Sequence, residues 1–366
     1  MMKSFQAVAC LSVVLAYSVA FAASPPASTT LLNDVTLDEA KLRVHFIDIG
    51  AGLAILIETP GDRKHVFVDG GDQGRDKMED YLEKFVGDDP INVYIVTHAD
   101  HDHFRNFSLM DEDYAVEEFW YTGYESTELG NLARWPVFLA ELQANPNIEF
   151  YSPLGDFADV GFLELLDDGG TPGDSSDDIV VQYLNVDKQP PDRDPNSNRS
   201  FSESERRNNA SFVFKLIYND VSFLITGDIN GRRKEHVGRG FDDEIDSEEF
   251  ELLDRHLSDG DKFGLRATVL QAPHHGANGS NSLKFLQAVD PEWIVISAGH
   301  KHDHPKVDTL RRMKRAGVAT DHILRTDHGD PTPESDPGTH DGAGDDSYIF
   351  ETDGLTITRI LRVNAP

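Results

Sequence analysis

The chain has 366 residues and a single cysteine, Cys10. Cys10 falls inside an N-terminal stretch that reads as a leader, so the mature protein is expected to have no thiol. That excludes disulfides, thiolate metal ligands and a cysteine nucleophile. Basic residues are scarce too: 33 Lys and Arg stand against 65 Asp and Glu, a formal net charge of −32. Such a surface repels nucleic acid at long range, although adaptation to saline surroundings would produce the same excess without any function. The acids crowd into 156–178, 242–261 and 327–353, while basic residues gather at 193–207 and at Arg311-Arg312-Met313-Lys314-Arg315. These two basic runs leave room for a local positive track toward a substrate.

Long apolar runs are also missing. The stretch 7–21 is too short for a comfortable membrane span. With Lys3 before it and Ala20-Phe21-Ala22 ahead of Ala23, it has the pattern of a cleavable secretory signal. The expected organisation is a signal peptide over 1–22, an extension over 23–40 and one domain over 41–366. The expected location is the periplasm or medium, with no stable membrane association. No repeats and no clear linker interrupt the rest, and roughly 340 mature residues can bury a sizeable core.

Hydrophobic periodicity predicts strands over 42–48, 53–59, 65–69, 91–97 and 179–185. A hairpin over 211–218 and 221–226 turns at Asn219-Asp220. Further strands are expected over 267–271 and 293–297, and a closing hairpin over 348–352 and 355–362. Helices are expected over 77–86, 137–144, 281–288 and 307–316, with a helical, acidic stretch over 232–257. Residues 189–207, rich in Pro, Asp, Ser and Arg, read as a long loop that could serve as a flexible lid.

Directly behind the apolar run Ile91-Asn92-Val93-Tyr94-Ile95-Val96 comes Thr97-His98-Ala99-Asp100-His101-Asp102-His103. Imidazole nitrogens and carboxylate oxygens are donors for zinc and first-row divalent ions. Alternate positions on an extended tip face one side together, which suits His98, Asp100 and Asp102. His103 next to Asp102 lets one short loop serve two neighbouring ions.

The pattern His-x-Asp-x-Asp-His resembles the metal motif of the metallo-β-lactamase superfamily, in the form carried by the extracellular hydrolase domain of ComEC-type DNA-uptake proteins. Further blocks follow in the family's order: Val44-His45-Phe46-Ile47-Asp48-Ile49-Gly50-Ala51-Gly52, Val66-Phe67-Val68-Asp69-Gly70-Gly71, Asn208-Asn209-Ala210-Ser211, Phe223-Leu224-Ile225-Thr226-Gly227-Asp228, Pro273-His274-His275-Gly276, His304-Pro305 and Arg325-Thr326-Asp327. The resemblance implies an α/β fold, the metallo-β-lactamase-like αβ/βα four-layer sandwich. It also implies two divalent metal ions, zinc or manganese, held by His98, Asp100, Asp102, His103, Asp228 and His275, with Asp228 as the bridge. Equal nitrogen and oxygen donors without sulfur fit either ion.

Within that reading Asp102 is also a candidate to orient the attacking water. His274 is expected beside the metals or against substrate, and His304 at the pocket wall. Arg105 replaces a glycine that ComEC-like domains usually have, and puts a cation at the mouth of the site for a phosphate or carboxylate. The expected function is a secreted hydrolase of phosphodiester bonds, a nuclease or nucleotide phosphodiesterase, using a hydroxide held by two metal ions. Hydrolysis of a lactone, β-lactam or other ester or amide at the same site is the alternative, and a non-catalytic metal-binding protein a third reading. The substrate would be a small molecule or a nucleic acid.

Overall fold

Side chains along the central strands alternate between two different apolar layers, which is why many strands are buried at nearly every position. The computed structural model describes residues 30–31, 36–61, 63–72, 74–109, 114–124, 133–151, 161–171, 173–186, 190, 192–193, 200–231, 245, 247–259, 264–299, 304–327 and 346–363. The expected leader lies outside them, as do 300–303 and most of the acidic stretch 327–353.

In chain order the first part runs β1 (Thr30–Leu31), β2 (Leu42–Phe46), β3 (Ala54–Glu58), β4 (His65–Asp69), α1 (Arg75–Phe85), β5 (Ile91–Val96), α2 (His101–Phe104), β6 (Val116–Tyr121), α3 (Arg134–Ala144) and β7 (Glu149–Tyr151). The second part runs β8 (Leu163–Asp167), β9 (Ile179–Asn185), α4 (Glu203–Asn209), β10 (Val213–Tyr218), β11 (Val221–Ile225), α5 (Ser247–Ser258), β12 (Val269–Gln271), α6 (Leu283–Val289), β13 (Trp293–Ile296), α7 (Val307–Ala316), β14 (Ile323–Arg325), β15 (Ser347–Thr352) and β16 (Ile357–Val363). One sheet is ordered β1-β16-β15-β2-β3-β4-β5-β6-β7 and the other β14-β13-β12-β11-β10-β9-β8. In both, strands leading to ligand loops pair in parallel: β4 with β5, and β11 with β12. Parallel neighbours end at the same edge of the sheet, so their following loops converge.

Three apolar layers separate the elements. The central one joins the inner faces of both sheets, with Val44, Phe46, Val68, Phe214, Phe223, Val269, Trp293 and Phe350 among its buried members. The second lies between the outer face of the first sheet and α1 and α3, and includes Tyr94, Phe104, Phe107, Phe119 and Phe138. The third covers the other sheet under α5, α6 and α7 with Leu224, Leu252, Leu270, Phe285, Ile294 and Met313. Truncating one of the large central side chains to Ala should cost about 3–5 kcal/mol. Helix, sheet, sheet and helix make the four layers expected from sequence.

The expected lid is corrected in its last part. Residues 203–209 are helix α4, started by a capping box in which Ser202 Oγ accepts from Glu205 N and the Glu205 carboxylate accepts from Ser202 N. Residues 194–199 lie outside the described residues. β1, β6, β7, β8 and β14 were not anticipated: β1 has two residues, β6 carries Glu117 and Glu118, β8 exposes Leu163 and Leu165, and β7 and β14 have only three residues each.

Candidate metal centre

β5 delivers the motif to the end of the first sheet, but the tip is not extended throughout as expected. His98 and Asp100 precede a single helical turn, His101–Phe104, that carries Asp102 and His103. Two loops clamp this turn from below: Leu53 N donates to Asp102 O (3.1 Å) and Gly71 N to His103 O (3.1 Å). Gly52 makes the approach possible, since a Cβ there would stand 2.6 Å from Asp102 O. The glycine-rich blocks after β2 and β4 thus hold the ligand turn through their backbones.

The second sheet supplies the rest. Gly227, at φ 53°, lies so close to Ser211 and Thr97 that a Cβ would be 2.8 Å from Ser211 Oγ and 3.0 Å from Thr97 Cβ. This contact brings Asp228 across to the first-sheet motif, where its N–H donates to Ser211 Oγ at 3.0 Å. After β12, His274 and His275 both adopt left-handed backbone, φ 51° and 54°. Asp69 does so as well, at φ 61°. Such non-glycine conformations cost on the order of 1–3 kcal/mol each and persist where surrounding contacts impose them.

The imidazoles are oriented by their outer nitrogens. His103 Nδ1 meets Asp69 Oδ2 at 2.7 Å, and Asp69 is itself fixed by Thr97 N (2.8 Å) and Thr97 Oγ1 (2.7 Å). His275 Nδ1 donates to the Ser297 carbonyl at 2.8 Å. With Nδ1 so engaged, each ring turns Nε2 inward, at 3.3 Å from Asp228 Oδ1 for His103 and 3.4 Å for His275. The His98 ring lies tilted against that of His103, with centroids 4.0 Å apart. The result is two groups with converging ligand atoms, His98 with His103 and Asp228, and Asp102 with His103 and His275.

The donor set fits divalent ions. His98 Nε2, His103 Nε2, His275 Nε2 and Asp228 Oδ1 are all buried and make no hydrogen bond. Leaving a buried polar atom unpaired costs about 1–3 kcal/mol, so four at one point call for a shared partner that accepts lone pairs. The charges agree. Burial pushes His98 well below the usual histidine value, helped by the charge of His103, and so keeps it a neutral donor. Burial alone would raise Asp228, yet His275, His103 and His274 hold it well below the carboxylate range. At His103 burial opposes protonation, but Asp228 and Asp69 outweigh it and raise the pKa well above the ordinary value. A cation taking the place of that proton keeps the same attraction to the two carboxylates.

Of the residues expected from sequence, His98, Asp102, His103, Asp228 and His275 come together. Asp100 belongs to neither group of three: its Oδ1 accepts from Arg207 Nε at 2.5 Å, while its Oδ2 lies 3.9 Å from His98 Nε2 at the edge of the cluster. His274 lies beside the ligands, with Nε2 3.7 Å from Asp228 Oδ2 and Nδ1 3.2 Å from Asn230 Oδ1. His304 is buried with its ring 6.0 Å from that of His274. Arg105 follows α2 and is exposed, with no ion pair to a described residue. Sequence reasoning missed the role of Asp69, although Asp69-Gly70-Gly71 closes a strand beside the motif, and it had Arg207 only as the end of the basic run 193–207. A cleft beside His98 is walled by Tyr121, Tyr124 and Trp135.

Two facing sheets with outer helices and ligand loops at one end define a metallo-β-lactamase-like fold. Within it, the chain is similar to competence proteins. It is 23% identical over 302 residues to ComE operon protein 3 of Bacillus subtilis strain 168, covering 78% of this chain and 32% of that protein. It is 31% identical over 133 residues to competence protein ComA of Neisseria gonorrhoeae, covering 34% of this chain and 16% of that one. The chain therefore spans about a third or less of the length of these curated relatives. Among solved structures, the metallo-β-lactamase fold protein YhfI from Bacillus subtilis matches with a TM-score of 0.43 and 10% identity, over 85% of this chain and 100% of that one. No protein-family model matches the chain.

Proposed function

We propose that this protein is a metal-dependent hydrolase of phosphodiester bonds, a nuclease or nucleotide phosphodiesterase acting in the periplasm or medium. The observation that carries the reading is that loops of both sheets bring the ligand atoms of His98, Asp102, His103, Asp228 and His275 into two overlapping groups. Two ions, zinc or manganese, would be held by His98, Asp102, His103, Asp228 and His275, and would supply Lewis acidity and a lowered water pKa. Similarity to competence proteins directs the substrate reading toward nucleic acid.

The chain's own groups divide the remaining work. Asp102 is held below the usual carboxylate range: burial would raise it, but His103 and His275 prevail. It therefore stays ionised and can orient an attacking water through its oxygens. Burial lowers the His274 pKa, so this ring is neutral. With Nδ1 directed at Asn230 Oδ1, its Nε2 accepts and passes on a proton at the substrate side. Asp69 and the Ser297 carbonyl keep the His103 and His275 rings from rotating.

No helix among the described residues is long and apolar enough to cross a membrane. The test uses protein recovered from the periplasm or medium, whose N-terminal sequence should start near Ala23. Stripped of metal and reloaded separately with manganese and with zinc, it should cleave single-stranded DNA or bis-p-nitrophenyl phosphate. Cleavage of a chromogenic β-lactam or a lactone, with no phosphodiester cut under either metal, would transfer the reading to ester and amide hydrolysis.

A further inference from the structure

We propose that Arg207 binds the anionic oxygens of the substrate beside the metal ligands, and that Asp100 is the positioning residue that aims it. The inference deepens the phosphodiester reading and rests on it only for the identity of the natural substrate. Asp100 stands between His98 and Asp102 in the motif, and its Oδ1 is taken by Arg207 Nε at 2.5 Å. With the Asn208 amide turned so that its NH2 faces acceptors, Asn208 donates to Asp100 Oδ2 at 3.3 Å and to Ser204 O at 3.0 Å. Both Asp100 oxygens are thereby engaged by neighbouring residues of α4.

An arginine has five N–H donors in a rigid fork. Here one, at Nε, is used. The terminal nitrogens have no partner among the described residues and are not among the atoms shut off from solvent. The side chain is nevertheless only 14% exposed, so its fork is confined beside the ligand cluster rather than loose on the surface. Its backbone is fixed as well. Tyr124 Oη donates to Glu203 Oε1 at 2.8 Å, and the Arg206 guanidinium lies over the Tyr124 ring and pairs with Asp192 at 2.6 Å. The capping box closes the start of the same helix.

Electrostatics complete the argument. In a chain of net charge −32, a guanidinium held against the metal motif is a local exception. Once divalent ions occupy the ligand groups, this mouth gains a surplus of positive charge, and an anion between ions and fork relieves their mutual repulsion. Planar, two-pronged donation to phosphate is what guanidinium offers and ammonium does not. Arg105, exposed and without an ion pair to a described residue, lacks such an anchor.

The test is calorimetric titration of manganese-loaded protein with inorganic phosphate, alongside metal content. Arg207→Ala should weaken phosphate binding about 10- to 100-fold with metal retained. Arg207→Lys should weaken it too, since an ammonium cannot hold Asp100 and fork two oxygens at once. Added guanidinium ion should restore part of the affinity of Arg207→Ala. Arg266→Ala, which removes a remote exposed cation paired with Asp290, should bind within about twofold of the parent. The proposal is overturned if Arg207→Ala binds phosphate like the parent, if the parent binds none, or if both Arg207 variants lose their metal. Phosphate binding that depends on Arg207, in a protein that cuts no phosphodiester, would leave this inference standing and remove the substrate reading.

Discussion

Two clusters of buried histidine and carboxylate lie at opposite ends of the same strands, and only one of them has converging ligand atoms. At the start of β4, His65 is near Glu58 (3.9 Å), which also pairs with Arg43 (2.7 Å) and with His45 Nε2 (2.7 Å), while His45 Nδ1 meets Tyr81 Oη at 3.0 Å. At the end of β4, Asp69 holds His103, and the ligand atoms of His98, His103 and Asp228 and of Asp102, His103 and His275 converge. The difference is the resident cation. Arg43 neutralises Glu58 from within the sheet, whereas Asp228 faces imidazoles that share it without a guanidinium. Burial of histidine and carboxylate together is therefore not the mark of a metal centre, nor are buried atoms without a hydrogen bond, which both ends have; three ligand atoms converging at one point are.

The largest expected effect breaks the comparison at the ligand end. Asp228→Ala and His103→Ala should lose metal by elemental analysis and reduce hydrolysis roughly a thousandfold or more. Full occupancy in both variants would sink the ligand assignment. Metal at a hundredfold excess over its Kd adds about 2.7 kcal/mol to stability, and these variants should not gain it.

At the other end, Glu58→Ala should leave metal content unchanged and destabilise the fold by about 3–5 kcal/mol, because Arg43 would remain buried without a counter-charge. Its pH dependence has a definite sign. Burial would raise the Glu58 pKa, but His45 and Arg43 hold it below the model-peptide 4.5. Its stabilisation is complete above that value and is lost as pH falls through the lower folded value. Denaturant titrations of metal-free protein should show this acid limb flattened in Glu58→Gln; an unchanged limb would refute the account.

A third buried charge sharpens the contrast by having no counter-ion among the described residues. Lys215 on β10 donates only to the Gly264 carbonyl (2.6 Å), and burial lowers its pKa from 10.5 to about 8. Below about pH 8 it is charged in both folded and unfolded chains, and the burial penalty is complete; between that value and 10.5 the penalty fades, so stability rises with pH. Lys215→Met should stabilise the protein at pH 7 by on the order of 1–3 kcal/mol, with the gain vanishing toward alkaline pH. A destabilised variant at pH 7 would assign the ammonium a structural role.

Much of this was legible in sequence where local chemistry decides. The apolar alternation of 42–46 and 65–69, the Asn219-Asp220 turn and the ligand blocks at strand ends marked their elements within a few residues. Ser202 with Glu205 was also a visible helix start, obscured by the loop-like composition around it. β6 was hidden because Glu117 and Glu118 interrupt its apolar pattern, and β7 and β14 are too short to carry a period.

The sequence alone determined which donors exist: histidine and aspartate on loops that follow buried strands, in a strongly acidic chain whose one cysteine is Cys10. Only the tertiary structure decided how they are used. Whether Nε2 of His275 faces inward depends on the Ser297 carbonyl 22 residues away, and whether Asp100 meets a metal or Arg207 depends on a helix 107 residues along the chain. Ligand geometry and counter-charge are properties of distances between strands, and spacing along one strand does not encode them.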